Sequence, residues 1–473
     1  MAIKRRQFLS SAAAMAALGT ASRYLPMAGG SLLGSSALAA PNFEDLGVSF
    51  NNTLTTDSIP RFINIFLYGG PSELAGNLTN IVDINANSQN PYGGTFDPQN
   101  ANTIVTPNYF WSTAGGDIME ELIASGDMTI YRTMNRVKDQ NKAHGICVQQ
   151  NLVGNLDVYT PGMATTLAWI IEQNNPFRNP DNSVKDLSQV VFPFVTFEGE
   201  SKAFNRGEIE VLPTLKPIAL NANLLNPYQR RNASQAFLTN GSPIDLALES
   251  MSKQVNAAGP YGLTAQSMEQ RAVAADNIST MLSGVTVDSE TYGYGTGNFG
   301  QRLSAAVSLA IANPETLYIS LGSGGLGGWD DHSEMIRRYP GRMNELMIAV
   351  GAAVKHLNAA SLAGVSHADK IVINIFGEFG RNVNLNESLG WDHGNNQNLY
   401  TFGGKGLAGR GRNLGQIVGE TVRTGNRGVN RQFTTPADGS YQFEPFSFAS
   451  TMYKYFGVNN PEIITGEPPI TGM

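Results

Sequence analysis

Cysteine is nearly absent: Cys147 is the single one in a chain of 473 residues, so no internal disulfide can form and stability must come from burial. Charge is scarce as well, at 15% of residues, and no run is rich in Lys or Arg. The balance is acidic, with 39 Asp and Glu against 32 Lys and Arg, a formal charge of -7. A nucleic-acid partner needs a positive field to release counterions, so no nucleic-acid role is expected, and cations or neutral partners suit the chain better. No period of roughly 20–50 residues repeats, which argues against solenoids and propellers. Haem and cluster motifs are missing, which argues against electron transfer. With 41% apolar residues the chain has material for a large core, and global disorder is not expected.

Long apolar runs are lacking too. Ala12 to Leu18 is short and Arg23 follows it, so no stable membrane span is expected. Ahead of that run, Lys4-Arg5-Arg6-Gln7-Phe8-Leu9 sets paired arginines before a Phe-Leu step, the order of a twin-arginine export signal. Ala37-Leu38-Ala39 offers the small residues a signal peptidase reads, so residues 1–39 are expected to be removed, leaving one domain over 40–473. Residues 1–39 carry Lys4, Arg5, Arg6 and Arg23 and no acid, which puts the mature chain at -7 - 4 = -11. The expected partner during export is the twin-arginine translocase, and the expected destination is the periplasm or cell surface. A chain exported folded can take up a metal beforehand.

Apolar strands are predicted at 62–68, 128–131, 190–197, 317–321 and 370–376, and helices at 118–124, 160–173, 299–312 and 333–357. Their alternation predicts a mainly parallel sheet covered by helices on both faces, a three-layer α/β/α arrangement. Residues 79–115 read as an irregular excursion. The polar stretch at about 200–298, with helices expected at 243–255 and 264–281, reads as an insertion or cap.

In such sheets ligands lie beyond the carboxyl ends of the strands, where three loops concentrate acids and histidines. They are Gly327-Gly328-Trp329-Asp330-Asp331-His332, Glu378 with Arg381, and Trp391-Asp392-His393-Gly394. The chain has only five histidines, and two of them, His332 and His393, neighbour an aspartate there. Carboxylate oxygens and imidazole nitrogens are ligands for zinc, manganese or iron, and glycine-flanked loops bring them to one point. A lone Asp-His pair is more often a turn hydrogen-bonded to backbone, so the reading depends on the loops around 330, 378 and 393 converging at one sheet edge. Arg381 suits either pairing with Glu378 or holding an anionic substrate. His356 and His367 read as structural. His144 and Cys147 lie close together, which suits a thiol nucleophile less well than a buried structural cysteine. The glycines at 403–411 lack the Walker spacing, which argues against a nucleotide site.

Together these pieces resemble the exported bacterial proteins grouped as domain of unknown function 1501, relatives of the alkaline phosphatase and sulfatase superfamily. The matching positions are Phe66-Leu67-Tyr68-Gly69-Gly70-Pro71-Ser72, Gly328-Trp329-Asp330-Asp331-His332, Glu378-Phe379-Gly380-Arg381, Asp392-His393-Gly394 and Phe402-Gly403-Gly404, with the tail Thr451-Met452-Tyr453-Lys454-Tyr455-Phe456-Gly457. The resemblance implies an alkaline phosphatase-like α/β/α sandwich in which Asp330, His332 and His393 serve one divalent metal and Glu378, with Asp392 nearby, lines a second. Two metals would clamp the attacking and leaving oxygens of a phosphate or sulfate ester, with Arg381 neutralising the oxyanion. The chain departs from the pattern in two places. Glu73 is the one acid in Ser72-Glu73-Leu74-Ala75-Gly76-Asn77, and no Ser or Thr occurs from Asn135 to Gly145 to act as a nucleophile. The expected function is therefore a metal-dependent hydrolase; the alternative is a non-catalytic member that binds an exported partner or a surface polysaccharide.

Overall fold

The computed structural model describes residues 43, 45–71, 106–108, 110–207, 209–222, 224, 281, 282, 284–386, 388, 390–424 and 433–473. The export signal, Glu73 and the helices expected at 243–255 and 264–281 lie outside these residues, apart from Met281. No helix among the described residues is long and apolar enough to cross a membrane.

The apolar runs become strands of one eight-stranded sheet: β1 (Arg61–Leu67), β2 (Met128–Asn135), β3 (Phe194–Thr196), β4 (Ile218–Ala219), β5 (Tyr318–Gly322) and β6 (Ile371–Gly377). A four-stranded sheet is built from β7 (Gly380–Leu385) and β8 (Trp391–Gly394), together with β11 (Thr421–Thr424) and β12 (Phe433–Pro436). Between the two pairs, β9 (Asn396–Gly403) and β10 (Ile417–Val418) return to the large sheet, whose order is β10-β2-β9-β6-β1-β5-β3-β4. β1 pairs in parallel with both β5 and β6, and β9 runs antiparallel to β2 and β6. The expectation of a mainly parallel sheet therefore holds, with β9 as the reversed strand. The β3 strand is shorter than the predicted 190–197, because Phe192 takes φ 53 and Pro193 follows it, which breaks the extended run.

Helices α1 (Gly116–Ala124), α2 (His144–Val153), α3 (Met163–Gln173), α4 (Asn298–Ala312), α5 (Met335–Leu362) and α6 (Ser447–Tyr455) cover the sheet. Successive strand residues point to opposite faces, so each apolar strand feeds two cores. Ile63, Ile65, Ile319, Ile373 and Ile375 join α1, α4 and α5 in one cluster. Phe62, Phe66, Tyr318, Val372 and Phe376 join α3 and α6 in the other. Buried on both sides, the central strands hold the loops at their carboxyl ends in fixed positions.

Candidate metal centre

Two tryptophans anchor the loops that carry the acids. Trp329 precedes Asp330 and Trp391 precedes Asp392; both rings are fully buried, and both pack edge-on against Tyr339 of α5, with centroids 6.0 and 5.5 Å away. The aromatic residue sinks into the core and the following acid is left at the surface. Opposite them, Gly69 and Gly70 follow β1 at φ +115 and +72, and a Cβ on Gly69 would stand 2.3 Å from the Asp330 nitrogen. Only glycine allows this approach. The β7–β8 pair then sets Arg381 directly across from His393. Asp330, His332, Glu378, Arg381, Asp392 and His393, expected to converge from distant segments, lie together at this edge.

A further segment joins them. His144, the first residue of α2, brings its Nε2 to 3.5 Å from Asp330 Oδ1. His332 Nε2 lies 3.2 Å from the same oxygen and 2.9 Å from His393 Nε2. His144, Asp330, His332 and His393 each offer one ligand atom, all within 4.8 Å of one another.

The tautomers follow from the outer neighbours. His393 Nδ1 faces the Lys142 carbonyl at 2.7 Å, and a carbonyl only accepts, so that nitrogen carries the proton. His144 Nδ1 donates to Glu378 Oε2 at 2.6 Å, and His332 Nδ1 donates to Asp392 Oδ1 at 3.2 Å. With the proton on Nδ1, each Nε2 turns a lone pair toward the centre. Two such lone pairs 2.9 Å apart repel unless positive charge stands between or beside them, and imidazole nitrogens with a carboxylate are the donor set of a first-row metal ion. Burial, with Arg381 and the neighbouring imidazoles, lowers the His393 pKa to about 4, so this imidazole is neutral near neutral pH.

Glu378 is enclosed, its Oε1 accepting from the Gly69 backbone at 2.7 Å and its Oε2 from His144. Burial raises its pKa, against the opposing effect of those two donors. Arg381 is buried with a side-chain exposure of 0%. Its Nε donates to Gly70 O at 2.6 Å, and Nη1 donates to Trp391 O at 3.0 Å and lies 3.4 Å from His332 Nε2. Nη2 reaches the Gly69 and Trp329 carbonyls and Asp330 Oδ1, the last at 2.7 Å. Burial raises the Asp330 pKa, but the guanidinium outweighs it and leaves the carboxyl below its ordinary range. Asp331 turns the other way and pairs with buried Arg342 at 2.9 Å.

The open side of the cluster is formed by Asp330, His332 and His144, whose side chains are 51, 44 and 39% exposed. His356 instead stacks on Tyr292 at 4.1 Å and bonds Tyr294, and His367 bonds the Ala310 carbonyl. Cys147 is buried against the Asn141 carbonyl, and burial pushes its thiol up to about 11.

His144 is the residue that strand-end reasoning missed. The one signal for it in the sequence is its position soon after β2, at the same carboxyl edge as the other loops.

The model of a family described as protein of unknown function (DUF1501) matches residues 218–458. That span holds Asp330, His332, Glu378, Arg381, Asp392 and His393, while Gly69, Gly70 and His144 precede it. No curated protein matches the chain.

Proposed function

The chain belongs to the DUF1501 family, and we propose that it is an exported metal-dependent hydrolase of the alkaline phosphatase-like fold, acting on phosphate or sulfate esters. The observation that carries this reading is the meeting of the His332 and His393 Nε2 atoms, 2.9 Å apart beside the Asp330 carboxylate and open to solvent on one side. Closed tetrahedral sites are structural, whereas a site with an open side leaves room for water and substrate. A divalent ion there supplies Lewis acidity toward an ester oxygen and lowers the pKa of water. Helices on both faces of a mainly parallel sheet, with the site past its carboxyl ends, support the fold assignment. The Arg5-Arg6 signal and Ala37-Leu38-Ala39 support export.

Within this reading, Asp330, His332 and His393 hold the ion. Glu378 and Asp392 take the Nδ1 protons of His144 and His332 and keep those rings in the binding tautomer. Arg381 is a positioning group, because its donors are committed to four loop carbonyls and Asp330. Oyxanion neutralisation, expected of Arg381 from the sequence, is left to the ion.

A second reading, a non-catalytic member that binds an exported partner or a surface polysaccharide, is favoured by the absence of Ser and Thr from Asn135 to Gly145. Protein purified from the exported fraction separates the two. Metal content and hydrolysis of aryl phosphates and sulfates are compared with the His332→Ala, His393→Ala double variant. Stoichiometric metal and turnover, both lost in the variant, are expected; metal without turnover supports the binding protein, and no metal overturns the proposal.

A further inference from the structure

The geometry points to a mononuclear centre with four ligands from the chain, His144 Nε2, Asp330 Oδ1, His332 Nε2 and His393 Nε2, and a fifth position left to water and substrate on the solvent-exposed side. This rests on the metal-dependent reading above and replaces the two-ion arrangement that the resemblance implies. Three observations carry it.

First, these four residues form the one group of three or more potential ligands found among the described residues. Donors about 2.1 Å from a single ion lie at most about 4.2 Å apart, and about 3.4 Å apart at a tetrahedral ion, so atoms within 4.8 Å of one another draw in by about 0.6–1.4 Å. Second, the carboxylates that would line a second ion already serve the first set. Glu378 is enclosed between the Gly69 amide and His144 Nδ1, and Asp392 Oδ1 faces His332 Nδ1 and the Asn386 amide. A carboxylate on the far nitrogen of an imidazole orients the ring and raises its basicity, which is the outer shell of a single centre. Third, all three imidazoles have the same arrangement, Nδ1 on an oxygen acceptor and Nε2 turned inward, although they come from a helix start, a loop and a strand. An incidental contact gives no reason for His144 to share that arrangement.

The test is a Co2+ titration of the chelator-treated full chain, read by bound cobalt per chain after desalting and by the visible absorption of the ion. One Co2+ per chain is expected. His144→Ala, at an exposed helix start, is expected to weaken binding at least 100-fold. Glu378→Ala weakens it about 10–100-fold, the usual effect of an outer-shell partner, and Glu378→Gln recovers part of that because its carbonyl still accepts from Nδ1. Circular dichroism of each variant separates lost binding from lost folding, and His144→Asn serves if the alanine variant does not fold. Two ions per chain, or unchanged binding in folded His144→Ala and His144→Asn, overturns the mononuclear centre while leaving metal-dependent hydrolysis standing. One ion per chain without ester turnover leaves the centre standing and removes the hydrolase reading. No Co2+ bound overturns both.

Discussion

His332 Nε2 and His393 Nε2 face each other across 2.9 Å with their protons held on the opposite nitrogens, by Asp392 and by the Lys142 carbonyl. That arrangement is stable only with positive charge between or beside the rings. One positive group beside them is Arg381, whose Nη1 lies 3.4 Å from His332 Nε2.

The protonation of His393 gives a pH dependence of stability. Its pKa falls from 6.5 to about 4 in the folded chain, so the unfolded state binds the proton first as pH drops. In metal-free protein the contribution of neutral His393 to stability is expected to be complete above about pH 6.5 and to be lost down to about pH 4, where the loss levels off. Urea midpoints of wild type and His393→Gln across that range check this. The difference between the two shrinks on acidification if the shift is real and stays constant if it is not.

Gly69→Ala is expected to destabilise the protein by about 2 kcal/mol or more, from left-handed backbone strain and from the clash with the loop before Asp330. Metal affinity falls with it, since the displaced loop carries Asp330 and His332. Urea denaturation and metal titration of the same sample check both effects.

Tyr339 is not one of the proposed ligands, but its ring packs against Trp111, Trp329 and Trp391. Tyr339→Ala opens a cavity under both acid-bearing loops, with an expected cost of about 3–5 kcal/mol. Weaker metal binding in the folded fraction is also expected. Unchanged affinity would mean that the tryptophans do not set the loop positions.

For Arg381 the structural and substrate-binding roles give different outcomes. A lysine cannot reach four carbonyls and a carboxylate at once, so Arg381→Lys is expected to cost at least about 3 kcal/mol and to weaken metal binding. A variant with unchanged stability and a raised KM for anionic esters would return Arg381 to the role of substrate clamp.

The sheet was legible where strands are buried on both faces: Phe62 to Leu67, Leu317 to Leu321 and Ile371 to Phe376 are nearly unbroken apolar runs. It was not legible at Asn396–Gly403, a buried strand whose first residues are amides. Asn396 donates to the Arg132 carbonyl, and the Gln397 side chain accepts from the Gly377 amide. The same substitution of amides for apolar residues concealed His144–Val153. The buried face of that helix carries Gln150 and Asn151, bonded to Arg136, and Asn151 also donates to the carbonyls of Gly377 and Glu378. No apolar stripe marks it as a helix, so its first residue, His144, had only its place soon after β2 to suggest a return to the site. Asp330, His332, Asp392 and His393 were legible because aspartate and histidine stand close together in glycine-flanked loops past strand ends, where carboxylate and imidazole ligands can meet.

Anomalous scattering at the metal edge, from crystals of protein purified from the exported fraction, tests the central claim most directly. The expected result is one peak per chain, about 2 Å from Nε2 of His332 and of His393, with Asp330 and His144 in the same sphere. No peak between those two imidazoles, or an ion bound elsewhere on the chain, would contradict it.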